Sequence, residues 1–317
     1  MSNSAGYDLI IIGAGLTGLN LAQNLLKTSP SKKVLILEKS KSCGGRMATR
    51  RIDDLKFDHG AQFIKRAGES EAWIQVWKSE QVARTFPSNS VDAVCGKSGI
   101  TQLAKVLARD LDIIYNCRAS ILKQRGGVWE ILCDEGLEFK SKTIVITSPL
   151  PQSLEILQRS NYSYDPKLAD IKYSPAVVVL IEGETDFDSD LAYSEDLGPN
   201  LFSICAQHKK GNAERPAWTV VMNAAWSQTN FDGPDEHILE SAVSVIKNRF
   251  PEMQMKKSHL KKWKYCRAET RWPNYFNSPQ NGLYLAGDAF GGASLLGALR
   301  SSNAVVEVLW ASETFLA

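Results

Sequence analysis

The stretch "YDLIIIGAGLTGLNLAQNLLK", residues 7–27, decides the fold class. Leu9 to Ile12 form an unbroken apolar run, as a strand buried on both faces does. Gly13, Gly15 and Gly18 follow at G-x-G-x-x-G spacing, and Leu16, Leu19, Leu21, Ala22, Leu25 and Leu26 then recur close to the helical period. In such a strand–turn–helix the first glycine allows the tight turn. The second removes the Cβ that would block a pyrophosphate, and the third lets helix and strand pack closely. The helix start offers free N–H groups and the positive end of its dipole. Gly13, Ala14, Gly15, Leu16, Thr17 and Gly18 are therefore candidate nucleotide-binding residues. A second strand, "KVLILEK" (33–39), ends in Glu38, twenty positions after Gly18. A carboxylate there accepts hydrogen bonds from ribose hydroxyls and repels a 2′-phosphate. Strand, helix and distal acid together predict a Rossmann-like nucleotide-binding domain. They do not separate NAD from FAD.

The next segment, "EKSKSCGGRMATRR" (38–51), carries five basic residues. Its glycine pair, Gly44-Gly45, permits close backbone approach, and Arg46 offers a planar fork of donors to phosphate charge. The reading is a second wall of the nucleotide site, with Glu38 and Lys39 at the ribose end and Met47 leading away from the pyrophosphate. Arg50 and Arg51 either flank the substrate entrance or pair with Asp53 and Asp54, and the pairing is the expectation.

These segments, with "FDHGAQFI" (57–64), resemble the flavin-containing amine oxidase superfamily, and in particular its short, renalase-like FAD-dependent oxidoreductases. The resemblance continues in "SGITQLAKVLARDLDIIYNCRASIL" (98–122), "IVITSPLPQSLEIL" (144–157) and "GLYLAGDAFGGASLLGALRSSNAVVEVL" (282–309), and is loose between about 160 and 262. It implies non-covalent FAD, since the closing helix carries no cysteine for a thioether. It assigns Ala119 to the adenine end, on a strand over "DIIYNCRAS", where the family usually has valine. It assigns Gly287 and Asp288 to the ribityl and pyrophosphate part. Leu296, Gly297 and Ala298, at a helix N-terminus, go to the flavin N1–C2=O edge. Ala61, Gln62, Phe63 and Trp272 are the flavin-adjacent candidates, the last three also the candidates for a catalytic role; no general base is assignable.

Composition narrows the alternatives. The chain has 317 residues, 44% hydrophobic and 23% charged, with a formal net charge of +2. That length suits two domains, and that charge gives no general case for a nucleic-acid partner. The six cysteines, Cys43, Cys95, Cys117, Cys133, Cys205 and Cys266, show no C-x-x-C spacing, and the four histidines no zinc pattern. Buried, reduced thiols in a cytoplasmic protein without a metal are expected. No stretch reaches the length of a membrane span, and "MSNSAGYD" lacks the positive region of a secretory signal.

The expected fold class is α/β: a Rossmann-like FAD-binding domain of the three-layer ββα type, formed by 1–70, 98–150 and 270–317. An inserted antiparallel-sheet substrate domain, 71–97 and 151–269, completes it, similar to the p-hydroxybenzoate hydroxylase fold. In the insert, "PAVVVLIEG" (175–183), "NLFSICA" (200–206) and "AWTVVMNAAW" (217–226) read as strands, and "HILESAVSVIKNRF" (237–250) as an amphipathic helix. "LKKWKYCRAETRW" (260–272) reads as a strand with Trp263, Tyr265 and Arg267 on one face. The aromatics of 263–276 either wall a flat-ring pocket or pack. A substrate is expected at the domain interface.

The resemblance implies oxidation of a 2- or 6-dihydro isomer of NAD(P), by hydride transfer to flavin N5 followed by reoxidation with dioxygen to hydrogen peroxide. Two other readings stay open: a flavin amine oxidase acting on a small amine, and a flavin-binding protein without turnover.

Overall fold

The computed structural model describes residues 6–88 and 91–312. Residues 1–5, part of the stretch read as lacking a signal, lie outside the described residues. The chain divides into two compact units. The first comprises Met1–Gly45, Ala104–Lys172 and Ala268–Ala317, and the second Arg46–Leu103 and Tyr173–Arg267. These boundaries differ from those read in the sequence. Residues 46–70 belong to the second unit because Asp58 is hydrogen-bonded to side chains near 210. The 151–172 stretch belongs to the first, where Ser160 Oγ accepts from the Leu122 amide at 2.8 Å.

The first unit is a mixed α/β, Rossmann-like layer. Strand Tyr7–Ile12 lies between Val34–Leu37 and Glu138–Ile146 and is parallel to both. Asp112–Ile114 extends the sheet in parallel beyond Val34–Leu37, and Leu283–Leu285 does so beyond Glu138–Ile146. Asn277–Gln280 then adds antiparallel to Leu283–Leu285. A hairpin of Ala119–Arg125 and Val128–Cys133 branches from Glu138–Ile146. The central strand is apolar because it is shielded on both faces: Leu9, Ile10 and Ile11 are fully buried. Helices Leu16–Thr28 and Leu295–Ala311 pack together, and Asn20 Nδ2 donates to Ser302 Oγ and Asn303 Oδ1, both at 2.9 Å. The single strand expected over "DIIYNCRAS" is two strands, Asp112–Ile114 and Ala119–Arg125. Asn116, at φ 53°, turns the chain between them, a conformation that asparagine tolerates and a strand does not.

The second unit is built on a five-stranded sheet. Its order is Tyr193–Glu195, Leu201–Ala206, Ala217–Met222, Tyr173–Gly183 and Met255–Ala268. Tyr173–Gly183 is buried at every position after Tyr173. Val177, Val179 and Ile181 pack with Ile238, Ala242 and Ile246 of helix Asp235–Arg249. Val178 and Leu180 pack with Leu55 and Phe57. Each such aliphatic side chain contributes about 1.5–3 kcal/mol by leaving water. "AWTVVMNAAW" is not one strand. Asn223 Oδ1 accepts from the Trp226 amide at 2.8 Å and caps a helix, Ala224–Asn230. The strand expected over 260–272 runs instead from Met255 to Ala268. A hairpin, Thr49–Ile52 with Leu55–Asp58, and a small sheet of Ile64–Lys65, Ala93–Gly96 and Ala83–Thr85 complete the unit.

Candidate functional site

In the first unit the turn after Tyr7–Ile12 gathers the nucleotide candidates. Gly13 sits at φ 112°, and a Cβ there would lie 2.8 Å from Thr147 Oγ1. A Cβ on Gly18 would fall 2.1 Å from the Gly13 carbonyl oxygen, so the third glycine is fixed by helix–strand contact. Gly15 is different: its backbone is extended at φ −77°, and a Cβ there meets nothing within 4 Å. It forms the N-cap of Leu16–Thr28, which has no side-chain cap and no acid in its first turn. Ala14 is fully buried.

Two further elements meet that turn. Glu38 is 7% exposed; its Oε2 accepts from the Ala14 amide and its Oε1 from the Ser40 amide, each at 2.8 Å. Each oxygen keeps one acceptor direction. Lys39 Nζ donates to Gln152 Oε1 at 2.9 Å, and burial pushes its ammonium down. Gly44 bridges Gly15, with its amide 2.8 Å from the Ala14 carbonyl oxygen, and a Cβ on Gly45 would touch the Gly15 Cα at 3.4 Å. The last helix is also adjacent to the first: Thr17 Oγ1 donates to the Ala298 carbonyl at 3.4 Å. Ser294 caps it through the Gly297 amide, and a Cβ on Gly297 would strike the Gly292 carbonyl. Leu296 is half-buried in the same turn. Ser301 Oγ accepts from the Gly287 amide at 2.8 Å, and Asp288 is buried in the short helix Asp288–Gly291. Ala119 is buried at the start of its strand, and the Trp272 amide donates to the Ala289 carbonyl at 2.8 Å.

The second unit holds the "FDHGAQF" candidates around a buried charge pair that the sequence reading missed. Lys210 and Asp58 are both fully buried, with Nζ 2.6 Å from Oδ2. Asp58 Oδ2 also accepts from Asn212 Nδ2 at 3.0 Å, and Oδ1 from Thr49 Oγ1 at 2.6 Å and the Ile100 amide at 2.8 Å. Burial alone would push the Lys210 ammonium down, but the Asp58 charge outweighs it and holds Lys210 above the ordinary lysine value.

Gln62 belongs to this network. Its Oε1 accepts from Lys210 at 3.2 Å and Gln207 at 3.0 Å, and its Nε2 donates to the carbonyls of Asp58 and Gly60. Both donors and both acceptor directions of the amide are thereby used inside the unit. Phe63 packs on Phe86 and Tyr193, with centroids 4.5 and 5.1 Å away. The Ala61 amide donates to the Arg46 carbonyl at 2.9 Å, Arg46 Nη1 donates to the Cys266 carbonyl at 2.9 Å, and Met47 is buried. His59 stacks on Trp263 at 5.3 Å, and burial, then the Lys261 charge, push its imidazole down to about 4. No spacing marks Lys210; the only signal was its place in "HKKGN", beside a second lysine.

The aromatics of 263–276 have separate partners: Trp263 has His59, Tyr265 faces Tyr173, Phe276 faces Tyr284, and Tyr275 is 44% exposed. The acids at 53 and 54 are not paired as expected. Asp54 is bonded to Arg215, and Asp53 lies 3.5 Å from Lys257. Among the described residues no helix is long and apolar enough to cross a membrane.

Comparison with known proteins finds two matching families. Residues 11–79 match the NAD(P)-binding Rossmann-like domain, and residues 67–309 match the flavin containing amine oxidoreductases. A probable flavin-containing monoamine oxidase A of Dictyostelium discoideum is 32% identical over 81 residues, 26% of this chain and 17% of that protein. Protein anon-37Cs of Drosophila melanogaster is 32% identical over 74 residues, 23% of this chain and 14% of that protein. The matches thus span under a fifth of these curated relatives. Among solved structures, a putative protoporphyrinogen oxidase from Exiguobacterium superposes with a TM-score of 0.76 at 12% identity, over 98% of this chain and 99% of that one. A putrescine oxidase bound to putrescine gives 0.72 at 12% identity, over 97% and 100%. At such identities the likeness is one of fold.

Proposed function

We infer, for a chain that belongs to the flavin containing amine oxidoreductase family, an FAD-dependent oxidase whose electron donor is a 2- or 6-dihydro isomer of NAD(P). When bound, FAD would supply a hydride acceptor at N5 and, through reoxidation by dioxygen, the hydrogen peroxide. Gly15 carries the cofactor part of this reading. Its φ of −77° suits any residue and its Cβ direction is open, so no described residue demands glycine there. A pyrophosphate lying against an uncapped helix start does demand it. In this assignment Gly13 to Gly18, Gly44, Gly45, Arg46, Gly287 and Asp288 hold the pyrophosphate. Glu38 accepts the ribose hydroxyls with its two remaining acceptor directions, and Ala119 backs the adenine. Gly297 and Ala298 bring the start of the last helix to the flavin edge, where its dipole favours negative charge.

Gln62, Phe63 and Trp272 remain the flavin-adjacent candidates by resemblance. The filled hydrogen bonds of Gln62 favour a role in shaping its loop over one in proton transfer. A dihydronicotinamide is already activated for hydride loss and needs no strong base. A small amine as donor is supported equally by the family and by the monoamine oxidase among the relatives.

Purified protein is expected to be yellow and to release intact FAD on denaturation; colourless protein that binds only NAD overturns the reading. Gly15→Val is expected to fold, at a cost of about 1 kcal/mol for the altered cap, and to be isolated largely without flavin. Full occupancy in that variant removes the pyrophosphate assignment. Anaerobic mixing with dihydronicotinamide isomers is expected to bleach the flavin within seconds. Bleaching by amines alone selects the amine oxidase, and bleaching by neither a binding role without this turnover.

A further inference from the structure

Cys117 and Cys133 have no part in the reading above. Cys117 precedes strand Ala119–Arg125, and Cys133 ends strand Val128–Cys133 across the same antiparallel ladder. The pairing shifts register between Leu132 and Cys133, and the Asp134 amide closes the ladder on the Arg118 carbonyl at 2.9 Å. Both residues are buried, and their sulfurs are in hydrogen-bond contact at 2.9 Å. The Glu135 carboxylate lies within 4.8 Å of both sulfurs.

Three groups of this kind suggest a metal, but the spacing disfavours one. Two thiolates on a tetrahedral zinc at about 2.3 Å stand roughly 3.8 Å apart. At 2.9 Å the pair is closer than that bite and closer to a covalent bond. Cys133 pairs with Ala119, two residues from Cys117, and the register shift at Leu132 and Cys133 accompanies the meeting of the two sulfurs.

We propose that Cys117 and Cys133 are a reversible dithiol–disulfide site, oxidised by hydrogen peroxide. The contact between the sulfurs holds the Cys117 thiol below the ordinary cysteine value and pushes Cys133 above it. One of the two thiols is the nucleophile and the other keeps its proton; the steps below have Cys117 attacking first, and the reverse order gives the same disulfide. The Cys117 sulfur attacks one peroxide oxygen, the O–O bond breaks, and the departing hydroxide takes the Cys117 thiol proton to leave as water. Cys117 then carries a sulfenic acid. The Cys133 sulfur attacks the Cys117 sulfur, the S–O bond breaks, and hydroxide leaves as a second water with the Cys133 proton. The two sulfurs together lose two electrons, and the peroxide is reduced to two waters. Cys133 is followed directly by the exposed turn 134–137. The product crosslinks the base of the hairpin beside the nucleotide acid, because the Cys117 amide donates to the Glu38 carbonyl at 2.9 Å. Only the source of peroxide within the protein's own turnover rests on the function proposed above.

The test uses the full chain, reduced, desalted and exposed to a few equivalents of added hydrogen peroxide. It is then denatured, alkylated and weighed. Six thiols in the reduced chain are expected to fall to four, with a loss of 2 Da, a 117–133 linked peptide, and full recovery with dithiothreitol. Cys133→Ser is expected to trap the Cys117 sulfenic acid, read as a dimedone adduct. Six thiols persisting in wild type, a link through any other pair, or co-purified zinc that protects the two thiols overturns the site. Colourless protein that still forms the link keeps the dithiol while removing the flavin.

Discussion

His59 is held neutral by burial, and its Nδ1 is buried without a hydrogen-bond partner. In the unfolded chain an imidazole takes a proton near pH 6.5, while in the folded chain this one resists until about pH 4. Folding stability therefore falls as pH drops from about 6.5 towards 4 and gains no further loss from His59 below that. The cost is roughly 3–3.5 kcal/mol. Denaturant midpoints measured across that window in wild type and His59→Gln are expected to converge at low pH; parallel curves sink the assignment. Residue identity alone told part of this. The Asp-x-Gly-Ala-Gln pattern marked Asp58 to Gln62 as a unit, but not that the Gln62 amide turns inward. Lys209 and Lys210 are identical neighbours, yet Lys209 reaches the Asp188 carbonyl at the surface while Lys210 is fully buried. Nothing local separates them. The partner that decides, Asp58, is 152 positions away.

At the scale of elements, that pair ties the turn after Leu201–Ala206 to the end of strand Leu55–Asp58. Lys210→Met keeps the length and the apolar stem but leaves a carboxylate buried without its cation. A loss of about 3–5 kcal/mol in urea unfolding is expected. A loss below about 1 kcal/mol would mean that Asp58 finds water in solution. Elements with a local pattern were legible: the buried strand Tyr7–Ile12, its helix and the amphipathic Asp235–Arg249. "AWTVVMNAAW" misled because its apolar content runs straight through Asn223, and only the cap at Asn223 separates strand from helix. The hairpin Thr49–Ile52 with Leu55–Asp58 was hidden because "TRRI" carries two arginines and no clear alternation.

For the whole molecule, the α/β class could be read, while the boundaries of the two units could not. They follow long-range partners such as Asp58 and Lys210, and not changes in composition. The second unit needs both of its segments. Residues 173–267 expressed alone are expected to give no cooperative thermal transition by circular dichroism, because Lys210 would be buried without Asp58, and Val178 and Leu180 would lose Leu55 and Phe57. A sharp transition in that fragment would show the first segment to be dispensable.

The sheet of the first unit has a consequence for how the chain is made. Strand Glu138–Ile146 receives its neighbour Leu283–Leu285 only after more than a hundred further residues. At about 5–20 residues per second, a ribosome leaves the edge at Ile144–Ile146 without that neighbour for roughly seven to twenty-seven seconds. During that interval the nascent chain carries an open template for pairing with its own copies on a crowded polysome. Slower translation through residues 147–282 is therefore expected to favour aggregation, although in the finished protein Leu283–Leu285 pairs with Ile144, Val145 and Ile146.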